Sequence, residues 1–150
     1  MKNENSNLPR LVDSHTHTQF AAFNEDYREV IDRALADDIW LINVGTQKDT
    51  SLKAVEIAEK YPEGVYATIG LHPIHTEKSF HDKQEVGGDA FSSREEIFDY
   101  DFYKKLGEHP KVLAIGECGF DFSRQEKKRR ISKKKLLLPK LNLLTNSRNP

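Results

Sequence analysis

Four short segments rich in β-branched and large aliphatic residues recur along the chain, separated by sequence of helical period or by a long polar stretch. This rhythm limits the possible folds more than any other feature. Leu11 to Ser14 runs into His15-Thr16-His17, and three further runs follow: Ile39-Trp40-Leu41-Ile42-Asn43-Val44-Gly45, Val65-Tyr66-Ala67-Thr68-Ile69-Gly70-Leu71 and Val112-Leu113-Ala114-Ile115-Gly116-Glu117. The near-continuous apolar character of the second run is that of a strand covered on both faces. Between the first two runs, Val30, Ile31, Ala34 and Leu35 recur at helical spacing, which predicts a helix over 25–38 with Asn24 as its N-cap. Leu52, Val55, Ile57 and Ala58 predict a second helix over 50–61, stopped by Pro62 and Gly64. Residues 72–98 are polar, contain Gly87-Gly88 and read as an extended loop; a short helix over 99–107 precedes the fourth strand. Strands alternating with crossover segments imply an α/β fold with a parallel sheet. A complete (β/α)8 TIM barrel needs eight such strands and roughly 250 residues. The expectation is therefore a partial barrel: its first four parallel strands with their crossover helices.

The chain has 150 residues and a formal net charge of -1, and that near-neutral sum hides an asymmetry. Residues 124–150 hold ten Lys and Arg against one Glu, whereas 1–123 hold 13 basic and 23 acidic residues. Two regions are expected: 1–124, which carries the strand rhythm, and a basic tail over 125–150. The single cysteine, Cys118, excludes a disulfide framework and argues against a thiolate zinc site. The polar start has no apolar core of a secretion signal, and no apolar run approaches the roughly 18 residues that span a bilayer. These features predict a cytoplasmic protein with no membrane partner.

The chemistry gathers at the strand ends. In Asp13-Ser14-His15-Thr16-His17, residues two apart on an extended chain point the same way, so His15 and His17 present two imidazoles to one point. Neutral imidazole suits zinc and other divalent transition metals at about 2.0–2.2 Å. An isolated pair of this kind is equally compatible with two surface histidines. Glu117 ends the fourth strand, where a carboxylate needs a partner: a metal ion is one, and a capping or salt-bridging role near Gly119 is another. His72, in Gly70-Leu71-His72-Pro73 at the end of the third strand, is a candidate for metal binding, phosphate donation or acid–base work, or is an ordinary loop histidine. His75 and His81 receive no role, and His109, before Pro110, reads as structural. All three groups fall at the C-terminal ends of separate strands, which is where α/β barrels build active sites.

The segments LVDSHTHTQF, INVGT, YATIGLHP and KVLAIGECGFDFSR, in that order and spacing, resemble the TatD-related deoxyribonuclease family over about Leu11 to Arg124. The resemblance implies a metal-dependent (β/α)8 barrel of the amidohydrolase-like superfamily that cleaves phosphodiester bonds in DNA, with two divalent metals assisting the attack of water. It implies His15 and His17 as metal ligands, Glu117 as the carboxylate shared between the metals and a catalytic group, and Asp13 as a hydrogen-bonding support behind the ligands. His72 takes a catalytic or substrate-phosphate role, and Asp121 and Arg124 belong to a segment near the substrate.

The family completes its site with two further histidines and an aspartate, but here no His follows His109 and no Asp follows Asp121. The expectation is an incomplete, inactive copy, with a truncation or frameshift behind the change of composition after Arg124. The tail also admits a second reading, as a basic appendage that grips nucleic acid by its phosphates without cleaving it. A third reading keeps an amidohydrolase-like enzyme but gives it esters, amides or lactones. An open barrel edge would expose unpaired backbone and apolar surface, so self-association through that edge is expected as well.

Overall fold

The computed structural model describes residues 8–76, 80–81, 91–92 and 96–119. Asp121, Arg124 and the basic tail lie outside these residues. The principal elements are β1 (Leu11–Thr16), α1 (Tyr27–Ala36), β2 (Ile39–Val44), α2 (Lys48–Ala58), β3 (Val65–Ile69), β4 (Phe80–His81), β5 (Phe91–Ser92), α3 (Tyr100–Gly107) and β6 (Val112–Ile115). Four strands form one parallel sheet in the order β1-β2-β3-β6, while β4 and β5 pair antiparallel apart from it. Neighbours in the sheet thus follow chain order, with α1 between β1 and β2, α2 between β2 and β3, and α3 before β6. Parallel pairing puts every strand's C-terminus at the same end, and that is where the predicted site residues lie. The stretch read as a plain loop is more structured than its polarity indicated, because Pro73–Thr76 form a 3-10 turn and β4 and β5 lie within it.

Local chemistry shifts two helix starts from their expected places. Asn24 does not cap α1; its backbone N–H closes a 3-10 turn onto the Ala21 carbonyl, and the helix begins at Tyr27 after Asp26. α2 begins at Lys48 because the Thr50 hydroxyl accepts from the N–H groups of both Thr46 and Gln47, at 2.9 Å each. That contact fastens the first turn and satisfies donors the helix itself cannot pair. Between α1 and β2, Asp38 adopts a left-handed φ of 59°, a conformation Asp tolerates better than most residues. Its carbonyl and carboxylate both accept from the Arg10 N–H, at 2.9 and 3.1 Å, which ties the entry of β1 to the entry of β2.

The core lies on the helical face of the sheet. Ile31, Leu41, Ile57, Ala58 and Val65 form one cluster between α1, α2 and the strands. Ala54, Val55, Ala67, Ile69, Leu71, Phe98 and Tyr103 form the other, between α2, α3 and β3. Burial alternates along β3: Val65, Ala67 and Ile69 are buried, while Tyr66 and Thr68 are half-buried. On β2 likewise Leu41, Asn43 and Val44 are buried and Trp40 and Ile42 are not. The expected burial of β2 on both faces is therefore not met among the described residues; one face is closed by helices and the other is partly open. The outer strands carry this furthest, with Leu11 55%, Val12 51% and Leu113 53% exposed. Among the described residues no helix is long and apolar enough to cross a membrane.

One glycine sets the spacing between β3 and β6 at the end that matters. A Cβ on Gly70 would sit 2.5 Å from the Gly116 carbonyl oxygen and 2.7 Å from its carbon. Just before this contact, the Gly116 N–H donates to the Ile69 carbonyl at 2.8 Å. Backbone cannot step aside as a flexible side chain can, so Gly70→Ala is expected to cost about 1–3 kcal/mol of overpacking strain. At Gly107 a Cβ would meet only the Cδ1 atoms of Ile115 and Ile69, at 3.7 and 3.8 Å. Gly107→Ala is therefore expected to be neutral or to stabilise by about 0.4–1 kcal/mol. Urea unfolding followed by circular dichroism measures both, and equal effects of the two substitutions would contradict the close-approach argument.

Candidate functional site

β1 delivers its two histidines through an irregular end. Its pairing with β2 runs from Asp13↔Leu41 to Thr16↔Asn43, so β1 spends one more residue than its partner over this interval. The extra residue is the kind of local shift that re-aims side chains at a strand end. The rings of His15 and His17 lie 5.0 Å apart, edge to face. Asp13 supports this segment by accepting the His15 backbone N–H at 3.1 Å, so its support reaches the main chain of His15.

The His17 ring is fixed by what surrounds it. Its Nδ1 lies 2.8 Å from the Val44 carbonyl oxygen. A carbonyl only accepts, so Nδ1 carries the proton and Nε2 keeps its lone pair. The ring also stacks on Phe20 with centroids 4.3 Å apart. Burial lowers its pKa, outweighing the opposing effect of the Val44 hydrogen bond, with further lowering by His15 and raising by Glu117. A neutral imidazole with one nitrogen held by a backbone carbonyl and the other free is the state that binds a metal.

Glu117, two residues beyond β6, places its carboxylate between two other histidines. Its Oε1 is 3.5 Å from His15 Nε2, and its Oε2 is 4.0 Å from His72 Nε2. Among the described residues no Lys or Arg pairs with Glu117. His72 differs from His17 in its tautomer. The Ile74 N–H donates to His72 Nδ1 at 3.0 Å, so in the neutral ring the proton sits on Nε2, on the side facing Glu117. His72 is thereby set up as a hydrogen-bond donor, and its main chain is held by Thr46 O and His75 N at 2.8 and 3.0 Å.

The structure thus brings His15, His17, His72 and Glu117 to one end of the sheet, with Asp13 behind them. It does not close them into a cage: among the described residues no group of three or more His, Cys, Asp or Glu is gathered so as to hold a metal ion. The donor set nonetheless fits a divalent cation in kind, with two imidazoles, one of fixed tautomer, beside a carboxylate that has no cationic side chain to neutralise it among the described residues. His109 lies elsewhere, joined to Glu59 at 2.8 Å and accepting the Lys111 N–H at 3.2 Å, a structural placement in keeping with its turn. His75 packs near His72, with ring centroids 6.1 Å apart.

Several residues that sequence reasoning passed over support this end of the sheet. The Gly70 carbonyl accepts from the Tyr103 and Ser51 hydroxyls at 3.1 and 3.3 Å, and the Gly70 N–H donates back to Ser51 at 3.2 Å. The Glu96 carboxylate accepts the Lys48 N–H at 3.2 Å and the Tyr103 hydroxyl at 3.3 Å, and burial raises its pKa against those two bonds. Asn43 and Gln19 are fully buried polar side chains beside the histidine segment. An Asn inside the run IWLINVG was the available signal, because a buried amide requires partners.

Comparison with known proteins places the chain among relatives of one family. The family described as TatD related DNase matches residues 12–143. The chain is 35% identical over 113 residues to the uncharacterized metal-dependent hydrolase YabD of Bacillus subtilis, covering 75% of this chain and 38% of that protein. It is 36% identical over 110 residues to the 3'-5' ssDNA/RNA exonuclease TatD of Yersinia pseudotuberculosis, covering 73% of this chain and 35% of that one. The crystal structure of YJJV, a TatD homolog from Escherichia coli, superposes with a TM-score of 0.68 at 25% identity, over 92% of this chain and 48% of that chain. The chain spans well under half the length of the curated relatives it matches.

If His15 and His17 are the principal ligands, the double substitution His15→Ala, His17→Ala abolishes binding of Mn(II) or Zn(II). Isothermal titration calorimetry on the full chain reads this directly, and unchanged affinity would place the metal elsewhere.

Proposed function

Because the chain belongs to the TatD-related DNase family, a family of metal-dependent hydrolases and nucleases built on an α/β barrel of which this chain supplies four parallel strands, we propose that it contributes one wall of a phosphodiesterase site acting on nucleic acid. The observation that carries the reading is the convergence of His15 and His72 on the Glu117 carboxylate at the ends of three parallel strands. His15, His17 and Glu117 hold divalent metal, two ions in the complete site, with Asp13 fixing the backbone of His15. Metal bound there supplies an activated water and positive charge for the departing oxygen. The Nε2–H of His72 donates to a non-bridging phosphate oxygen or to the leaving group. Asp121 and Arg124 contact the substrate backbone.

The proposal places the chain in the cytoplasm and has 1–124 form the barrel portion, with 125–150 as a basic tail. It includes self-association through the outer strands, whose exposed Leu11, Val12 and Leu113 favour burial.

The test is a chimera in which Leu11–Gly119 replace the matching segment of the Bacillus subtilis relative. The chimera is expected to degrade a labelled single-stranded oligonucleotide in Mn(II) or Mg(II), and Glu117→Gln is expected to remove that cleavage while the fold persists by circular dichroism. A folded chimera that hydrolyses a carboxylic ester or lactone but no oligonucleotide would replace the phosphodiesterase reading with an amidohydrolase-like one. Metal-independent binding of DNA by the original chain, lost on deleting 125–150, would favour a binding role for the tail.

A further inference from the structure

The residues that alternate with the histidines carry their own structural signal. Thr16 and Thr18 flank His17, and both turn toward a single atom. The Asn43 Oδ1 accepts from the Thr18 hydroxyl at 2.7 Å, from the Thr16 hydroxyl at 2.9 Å and from the Thr18 N–H at 3.1 Å. Asn43 has no exposed surface, and Thr18 is 5% exposed. Thr16 is also the β1 residue registered opposite Asn43 where the pairing shifts. The adjoining Val44 carbonyl receives His17 Nδ1 at 2.8 Å and Gln19 Nε2 at 2.7 Å. Two successive residues of β2 therefore hold four successive residues of the exit from β1: Asn43 through its side chain holds the two threonines, and Val44 through its carbonyl holds His17 and Gln19.

We infer that Asn43 is a positioning residue for the histidine pair: by drawing Thr16 and Thr18 inward to one oxygen, it turns His15 and His17 outward and holds the register in which His17 Nδ1 meets the Val44 carbonyl. The amide nitrogen identifies which half of the side chain matters. Asn43 Nδ2 is buried and makes no hydrogen bond among the described residues, while Oδ1 makes three. A residue kept only to fill space would be apolar at this site, since an unpaired buried N–H is costly. The acceptor is the part retained: the Thr18 hydroxyl and N–H, with the Thr16 hydroxyl that it shares with the Ile42 carbonyl at 3.1 Å, outweigh the orphan.

The test uses the full chain with no metal added, so it does not depend on the proposed function. In the wild type, long-range 1H–15N spectra are expected to show His17 as the Nδ1–H tautomer. Asn43→Leu keeps comparable volume and removes the acceptor; the His17 signals are expected to move toward a mixture of tautomers. Asn43→Asp keeps the acceptor and is expected to retain the wild-type tautomer. Where Asn43→Leu does not fold, Thr16→Val with Thr18→Val removes both hydroxyl donors and leaves Asn43 in place, and the same loss is expected. A second arm rests on the proposed metal role. Mn(II) affinity by calorimetry is expected to fall about ten- to a hundredfold in the variants lacking the acceptor or its donors, as for loss of a support behind a ligand, and not to weaken in Asn43→Asp. A folded Asn43→Leu protein with the wild-type His17 tautomer would overturn the inference, even with a lowered melting temperature. A wild type that binds no metal but loses its tautomer in Asn43→Leu would sink the metal reading and uphold the positioning one.

Discussion

The arrangement of this end of the sheet depends on the absence of a side chain at Gly70. Its Cα faces the Gly116 carbonyl at a distance that excludes a Cβ. That approach lets β6 run close beside β3 and sets Glu117 within 4.0 Å of His72. The same glycine is held on its other side by hydroxyls from two helices, Ser51 of α2 and Tyr103 of α3. The Tyr103 hydroxyl is deeply buried, its pKa is pushed up chiefly by that burial, and it remains a neutral donor. A single backbone unit is thus the meeting point of β3, β6, α2 and α3. Because strands and helices both bear on it, His72 and Glu117 are positioned by the packed body of the fold and not by loop conformation alone.

A second constraint acts on the β1 side, where polar contacts replace apolar packing. Leu11, Val12 and His15 are exposed, so burial contributes little to fixing β1. What anchors its exit is the set of hydrogen bonds from Thr16, Thr18, His17 and Gln19 to Asn43 and Val44. Hydrogen bonds are directional where hydrophobic contact is not, and only a directional contact can specify a ring tautomer. The division is physically sensible: β3 and β6 are registered by core packing and a glycine, and β1 is registered by side chains that read its neighbour's backbone.

These two constraints differ in how far the sequence reveals them. The four strands were legible because each is a compact apolar run, and their parallel pairing followed from the helices between them. The position of His15, His17, His72 and Glu117 at one end followed in turn, since parallel strands share a direction. The helix starts were less legible: Asn24 is a good N-cap residue by type, yet the chain closes a 3-10 turn there, and Thr50 reaches back to start α2 earlier than its apolar pattern. The supports of the site were largely hidden, the Asn inside an apolar run being the one signal. Asn43 sits within an apolar run and Glu96 within a polar stretch, and each takes its role from residues distant in sequence: Thr16 and Thr18 for one, Lys48 and Tyr103 for the other. Periodicity reports which face a residue occupies; it does not report which distant donor arrives there.

The charge balance at the strand ends is the last link between this architecture and chemistry. Burial lowers the pKa of His17, and His72 offers Nδ1 as an acceptor to the Ile74 N–H, so its ring is neutral while that bond holds. Glu117 faces His15 and His72 with no Lys or Arg beside it among the described residues, and Asp13 adds a second carboxylate that accepts the His15 backbone N–H. Among the described residues this group carries surplus negative charge. In a protein such a surplus is relieved by protonation, by water or by a cation. Protonating the imidazoles is opposed by the burial of His17 and by the Ile74 N–H at His72. Water would relieve the carboxylates but leave no reason for the fixed tautomer of His17, whose Nδ1 is committed to the Val44 carbonyl. His17, its proton held by the Val44 carbonyl, and Glu117 are in kind the ligands that the proposed divalent cation calls for, while His72 keeps its proton on the side of Glu117 and stands as a donor. Asn43, Val44, Gly70 and Tyr103 hold the strand ends on which these groups stand.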